Sequence, residues 1–427
     1  MSRVVVIGAG AMGLAAAYRA AKLGHEVDLI EIDSVPGGMA AHFDFGGLSI
    51  ERFYHFICKS DEPTFALMKE LGIEDKLRWR ATSMAYYIKG KIHAWGEPFA
   101  LLRFPHLSFG AKLRTGLHMF LTTKAKNFRK IESLTAREWL EKGSGKEVYN
   151  TLWKRLMDLK FYELADEISA SWIATRVRRV GNSRKTVFQE ELGYIEGGSQ
   201  TLVDALVSAY EENGGRLHLA TKVEQVVAEN GRVSGVKAGD RFFEADAVIS
   251  TVPTPLVSNL VPDLPQDWKD QYDAIKNIGV VCLLLRLKTS ISKNFWLNIV
   301  EEGMEVPGLI EFSNLRPVKD TIVYVPYYMP TTQSKWNWTD QQFVDEAFSY
   351  IRKINPEIKD TDLLDSTVGR LRYAQPVCEP DFLDKLPPIE TPIRGLQIAD
   401  TCYYYPEDRG IAESVRYGQM MAEAIDG

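Results

Sequence analysis

The chain has 427 residues, 45% hydrophobic and 25% charged, with 51 Lys and Arg against 57 Asp and Glu for a formal net charge of −6. That length gives room for two or three domains around a large core, and the mildly acidic balance gives no reason to expect nucleic acid as a partner. Cys58, Cys282, Cys378 and Cys402 are scattered without metal-ligand or redox spacing, so no metal site is expected and four free thiols fit a reducing compartment.

The opening "MSRVVVIGAG" runs directly into a strand-like stretch with no secretory leader, and no run approaches the ~20 apolar residues that span a bilayer. A cytoplasmic protein is expected. Val4 to Ile7 suit a buried parallel strand. Gly8, Gly10 and Gly13 follow as G-x-G-x-x-G, with a helix expected from Ala11 and Met12. In such a unit the first glycine permits the turn, the second lets backbone approach a pyrophosphate, and the third allows close helix–strand packing. The helix N-terminus favours the same anion. A second strand, "EVDLIEI", ends at Glu31, 23 residues after Gly8, where a carboxylate accepts hydrogen bonds from a ribose. Ile32 and Asp33 come next; the lack of an arginine there argues against a 2′-phosphate. Gly37-Gly38, followed by Met39, would let the chain pass a dinucleotide, or would form a plain turn.

Further along, "ERFYHFICKSDE" (51–62) places His55 in an aromatic run, as a neutral-range base or as a packed ring. Residues 89–130 hold nine cations (Lys89, Lys91, Arg103, Lys112, Arg114, Lys124, Lys126, Arg129, Lys130) and one acid, Glu97. Large apolar groups are interleaved with them. Such a segment fits either an anionic membrane surface or a helical cap packed apolar side inward. Arg176, Arg178, Arg179 and Arg184 form a second cluster, either an anion clamp or a solvated helix face. Strands broken at Asn230-Gly231 and Gly239-Asp240 predict hairpins. The closing segment "GLQIADTCYYYPEDRGIAESVRYGQMMAEAI" (395–425) reads as strand, aromatic loop and helix. Asp400 ends the strand, Tyr403 to Tyr405 fill the loop, and Arg409 precedes Gly410-Ile411 at the helix start.

Taken together, the opening unit, Gly37-Gly38, "YIEGGSQTLVDAL" (194–206) and the closing segment resemble the FAD-dependent amine oxidase superfamily. That group includes monoamine oxidase, protoporphyrinogen oxidase, phytoene desaturase and, more distantly, UDP-galactopyranose mutase. The resemblance implies an α/β fold: a Rossmann-like FAD-binding domain of the amine oxidase type with an inserted α+β substrate domain. The FAD domain would be assembled from 1–80, 190–260 and 386–427. The substrate domain would come from a helical segment, 81–189, and a strand-rich one, 261–385. It also implies FAD as cofactor, with Val223 meeting the adenine, Asp400 a ribityl hydroxyl, and Gly410-Ile411 the flavin ring. His55 would correspond to the histidine that the mutase brings to its flavin.

The lysine of monoamine oxidase-like members is missing, because Val280-Val281 stand at the matching place in "NIGVVCLLLRL". Amine oxidation is therefore in doubt. With no second dinucleotide motif, the expected activity is an FAD-dependent oxidase, dehydrogenase or desaturase. It would take hydride from a small or lipid-like molecule and pass electrons to oxygen, a quinone or another carrier. A reduced-flavin mutase acting on a nucleotide sugar is the alternative, with the arginines of 176–184 on a pyrophosphate. A binding protein on the same scaffold is a third reading, disfavoured because Glu31 and Asp400 are both retained. Substrate and oligomeric state stay open.

Overall fold

The structure, a computed structural model, describes residues 1–425. The strands Arg3–Ile7, Glu26–Ile30, Arg216–His218, Ala247–Ser250 and Leu396–Ile398 form one parallel sheet, with Arg3–Ile7 at its centre. Three distant stretches of chain thus meet in one sheet. Val4 aligns with Val27 on one side and Ala247 on the other. Its residues are buried on both faces, which is why they read as a continuous apolar run rather than an alternation. The opening helix Ala11–Lys22 packs on this sheet, and the closing helix Ile411–Glu423 packs along the opening helix.

The two predicted hairpins are present. Gln225–Glu229, Arg232–Ala238 and Arg241–Glu244 pair antiparallel, turning at Asn230-Gly231 (φ 52° and 73°) and at Gly239 (φ 60°).

A seven-stranded sheet lies opposite, in the order Leu363–Pro376, Asn277–Leu287, Thr321–Met329, Gly308–Glu311, Trp296–Ile299, Met84–Ile88 and Lys91–Trp95. Asn277–Leu287 shows how this sheet divides the interior. Val280, Cys282 and Leu284 face the core shared with the parallel sheet, whereas Val281, Leu283 and Leu285 face a second core under the helix Asp340–Ile354. Period-two alternation with both faces apolar places this strand mid-sheet. The stretch 81–189 is not helical throughout. It opens with the hairpin Met84–Ile88 to Lys91–Trp95, turned at Lys89-Gly90 with φ of 51° and 71°. The alternation of "MAYYI" with "KIHAW" is a strand signal that the positive charge of the region obscured. Helices follow, among them Phe109–Lys124, Ala136–Gly143, Lys154–Phe161 and Ala170–Asn182. All four cysteines are buried and unbridged. Among the described residues no helix is long and apolar enough to cross a membrane.

A buried charge cluster ties a short hairpin, His42–Asp44 with Ser49–Glu51, to the large sheet. Arg316 donates to Glu51 at 2.5 Å and to the Ser49 carbonyl at 3.1 Å, and Tyr324 of the large sheet donates to the Glu51 carbonyl at 2.6 Å. His42 lies 3.6 Å from the same carboxylate. Burial alone would raise the Glu51 carboxyl, but His42 and Arg316 hold it below the usual carboxylate value. The stretch that follows, Phe53 to Phe56, is thereby fixed between the sheets.

The tightest backbone approach lies at the opening turn. A Cβ on Gly13 would come 1.8 Å from the Gly8 carbonyl oxygen, a contact that only backbone movement relieves. Gly13→Ala is expected to lower stability by about 3 kcal/mol and to remove cofactor retention, measured by denaturant unfolding and by absorbance of the purified protein.

Candidate flavin and substrate site

A cavity of about 1240 Å³ opens between the two sheets. One part is walled by the C-terminal ends of the parallel strands, the rest by the core-facing side of the large sheet. In an open α/β sheet this is where ligands bind. Gly8, Gly10, Ala11, Met12, Glu31, Ile32, Gly37, Gly38 and Met39 all reach the wall, as do Val223, Asp400, Gly410 and Ile411. So do His55 and Arg409. Gly13 does not, because it sits behind the turn against Gly8.

Glu31 closes the first turn. Its two carboxylate oxygens accept the Ala9 N–H at 2.6 Å and the Asp33 N–H at 2.8 Å. The carboxylate is held at the cavity edge with lone pairs left over. Gly37-Gly38 has a second reason to be glycine. The Gly37 N–H donates to the Ala9 carbonyl at 2.7 Å, and a Cβ on Gly38 would stand 3.1 Å from the Gly10 Cα. The two glycine turns therefore stack backbone on backbone. Asp400 is anchored likewise, accepting from Cys402 N–H at 2.8 Å and Thr254 N–H at 2.7 Å. Gly10 and Gly410 cap the opening and closing helices, so two helix N-termini meet one cavity.

Toward the large sheet the wall turns aromatic. Tyr54 packs edge-on against Trp296, 5.4 Å between ring centres, and Tyr328 lines the same region. His55 and Arg409 each keep a buried nitrogen, Nδ1 and Nε respectively, without a partner. Burial pushes the His55 imidazole below its ordinary 6.5, with Arg409 adding to the shift and Glu51 partly offsetting it. It is neutral at pH 7. Arg409 donates to the Ala374 carbonyl and, among the described residues, pairs with no carboxylate. The neighbouring acids are taken by other arginines. Asp408 pairs with Arg176 at 2.7 Å, and Glu407 with Arg178 at 2.6 Å.

The remaining arginines are similarly committed. Arg179 forks onto Asp61 at 3.0 and 2.7 Å, and Arg184 donates to the carbonyls of Gly181, Val187 and Gly96. The cluster braces the loop before the closing helix. Tyr403, Tyr404 and Tyr405 are all buried rather than alternating with solvent, their hydroxyls bonded to Pro387, Ser414 and Ser169. Only Tyr404 of the three reaches the cavity.

Sequence reasoning missed Lys160. The large-sheet strand Asn277–Leu287 carries no cation at the cavity; behind the wall, the helix Lys154–Phe161 holds the Lys160 amine 4.7 Å from the ring of Tyr328, which lines the cavity, and 5.0 Å from Trp172. Among the described residues it has no ion pair. Burial drives its pKa well below the ordinary lysine value, and Arg176 and Arg409 add to the effect. No local pattern marks it, since "KRLMDLKF" reads as an ordinary surface helix.

A stacked pair of glycine turns, a ribose-type acid and two helix N-termini on one cavity define a dinucleotide flavoprotein. The chain belongs to the flavin-containing amine oxidoreductase family, which matches it over residues 13–401. A 15-cis-phytoene desaturase of Synechococcus elongatus is 26% identical over 316 residues, covering 65% of this chain and 64% of that protein. The match thus spans just under two thirds of that relative's length. Among solved structures, reduced UDP-galactopyranose mutase superposes with a TM-score of 0.76 at 16% identity, covering 100% of this chain and 96% of that one. Wild-type putrescine oxidase bound to putrescine does so with 0.73 at 17%, covering 100% and 99%. At those identities the likeness is one of fold.

FAD is the cofactor of the family, and the residues present fit it. The glycine turns leave a cradle that side chains would fill, Glu31 and Asp400 are pinned at its edges, and the unpartnered nitrogens of His55 and Arg409 suit a polar ring system.

Two outcomes follow from this geometry. Glu31→Ala removes an acceptor of two backbone N–H groups and is expected to weaken FAD by roughly 1.5–3 kcal/mol, read by fluorescence titration of the apoprotein. Lys160→Met should stabilise the fold. A lysine with a lowered folded-state pKa leaves the unfolded chain binding more protons up to its ordinary 10.5, so wild-type stability rises with pH across that window. The gain from Lys160→Met should therefore be largest near neutrality and shrink toward pH 10, as followed by denaturant midpoints.

Proposed function

We propose that the protein is an FAD-dependent oxidoreductase that takes hydride from an apolar, lipid-like organic substrate. The observation carrying this reading is that one cavity joins the flavin-type cradle to an aromatic and aliphatic wall. Tyr54, Phe56, Trp296, Leu284 and Leu371 face it there. Pieces 1–80, 190–260 and 386–427 hold the cofactor, and 81–189 with 261–385 hold the substrate. FAD, when bound, supplies a two-electron acceptor that oxygen, a quinone or another carrier reoxidises.

The chain's own residues supply orientation, dryness and charge. The aromatic wall excludes water and presents apolar faces to the substrate. Neutral His55, held by the fixed stretch after Glu51, offers Nδ1 as a hydrogen-bond partner or proton acceptor. Arg409, lacking a carboxylate, leaves positive charge at the N-terminus of the closing helix, where negative charge is stabilised. The desaturase relatives agree with an apolar substrate.

The mutase reading requires arginines free to hold a pyrophosphate. Those of the 176–184 cluster are engaged with Asp408, Glu407, Asp61 and backbone carbonyls, which weighs against it.

Anaerobic mixing tests the proposal. Apolar unsaturated candidates should bleach the visible flavin absorbance, whereas turnover of a nucleotide sugar only after dithionite reduction would refute it. Because burial lowers the His55 pKa, the bleaching rate should be flat through pH 7 and decline only below pH 6.5. His55→Phe should lose that acid limb while retaining FAD.

A further inference from the structure

The helix Phe109–Lys124 is built inside out. Its inward residues are small or polar: Ala111, Thr115 and Thr122 are buried, and His118 hydrogen-bonds Ser144 at 2.9 Å. Its large apolar residues face solvent: Phe109 is 68% exposed, Leu113 54%, Leu117 60%, Phe120 58% and Leu121 57%. Phe109, Leu113, Leu117 and Leu121 recur every four residues, and Phe120 follows Leu117 by three, so they share one face. The packed-cap alternative required the opposite orientation.

The face extends beyond this helix. Leu101 of the short helix Pro98–Arg103 lies against Gly116, and Lys112 donates to the Leu102 carbonyl at 2.9 Å. Phe99 and Leu102 are exposed there. Phe99 stacks on Phe188, 5.3 Å between ring centres at 13°, which brings in the hairpin tip with exposed Val187. Three elements thus present a single apolar surface, larger than scattered exposed residues explain.

Around it positive charge predominates, with Glu147 on the helix-capping Ser108 as a local exception. Arg103, Arg114, Lys124, Lys126, Arg129 and Lys130 are all exposed, and Glu97 is the one acid between 89 and 130. We propose that this face seats the protein on an anionic phospholipid bilayer, the apolar groups entering the headgroup boundary and the cations meeting lipid phosphates. A second copy is a poorer occupant, because a two-fold contact would bring two sets of like charges together. The placement has a consequence for the chemistry. The helix Ala170–Asn182 lies directly behind, with Asn182 donating to the Thr123 carbonyl at 3.1 Å and Arg178 to that of Lys126 at 3.1 Å. The same helix sends Arg176, Arg179 and Val180 to the cavity wall. Bilayer and substrate chamber are one helix apart. The surface stands independently of which substrate is oxidised.

Vesicle flotation of the full chain with bound FAD tests this, using phosphatidylcholine alone and an equal mixture of phosphatidylcholine and phosphatidylglycerol. The protein should float with the anionic vesicles at low salt and be released as salt screens the charges. Lys124→Glu, Lys126→Glu and Lys130→Glu combined should weaken binding on the order of a hundredfold or more, at about a kcal/mol-scale contribution per cation. Leu113→Ser, Leu117→Ser and Phe120→Ser combined should abolish flotation, with unchanged flavin absorbance showing that the fold is kept. Equal flotation with both vesicle types, or with neither, overturns the proposal. So does a dimer in light scattering that the apolar triple variant dissociates, since the occupant would then be a second copy.

Discussion

A buried carboxylate fixes the stretch that leads to Tyr54 and His55 against the large sheet. Glu51 ends the short strand Ser49–Glu51, and Arg316 reaches it from the connection that feeds the large sheet. Both side chains are nearly inaccessible, so their attraction is unscreened, but their desolvation is also complete. Such a pair adds little net stability relative to an apolar isostere, yet losing one partner costs about 3–5 kcal/mol because the other charge is stranded. What the pair supplies is therefore specificity of position. The space around it is so tight that a Cβ on Gly198 would stand 2.6 Å from Glu51 and 2.5 Å from Arg316. Tyr54 and His55 inherit their placement from this lock.

A second electrostatic arrangement shapes the far wall. Burial would raise the Asp408 carboxyl, but Arg176, Lys160, Arg409 and Arg179 together keep it below the usual carboxylate range. Of these cations Arg176 is matched directly by Asp408, and Arg179 by Asp61. Among the described residues Arg409 and Lys160 have no ion-pair partner. The excess positive charge is expressed differently in the two. A guanidinium keeps its proton in any protein environment, so Arg409 remains a fixed charge near the closing helix, whereas the amine of Lys160 yields and its pKa falls. The same burial that depresses Lys160 keeps His55 neutral. The wall thus carries a fixed cation, Arg409, and a neutral imidazole, His55, with the Lys160 amine behind it.

The outer surface obeys the opposite logic from the core. Elsewhere helices bury their apolar stripe, as Asp340–Ile354 does with Phe343, Ala347 and Ile351. The helix Phe109–Lys124 exposes its stripe and keeps threonine and alanine inside. Exposing five large apolar side chains to water is unfavourable by tens of cal/mol for each Å², and covering them would recover that free energy.

Much of the cofactor side was written locally. Gly8, Gly10 and Gly13, the acid at Glu31, and the turns at Asn230-Gly231 and Gly239 are demanded by backbone geometry within a few residues, and such demands survive in a one-dimensional string. The resemblance in the closing segment placed Asp400 and Gly410 in the same way. Other features had no local signature. Gly38 is small partly because Gly10 lies on it, a contact between turns nearly thirty residues apart. Arg409 is unpaired because Arg176 and Arg178, more than two hundred residues earlier, claim the neighbouring acids. Lys160 is ordinary until three rings close over it. The basic helix states the clearest limit: its sequence interleaves large apolar residues with cations, but such a mixture has no intrinsic inside. Which side meets the protein depends on what the neighbouring elements offer to pack against, and only the assembled tertiary structure decides that.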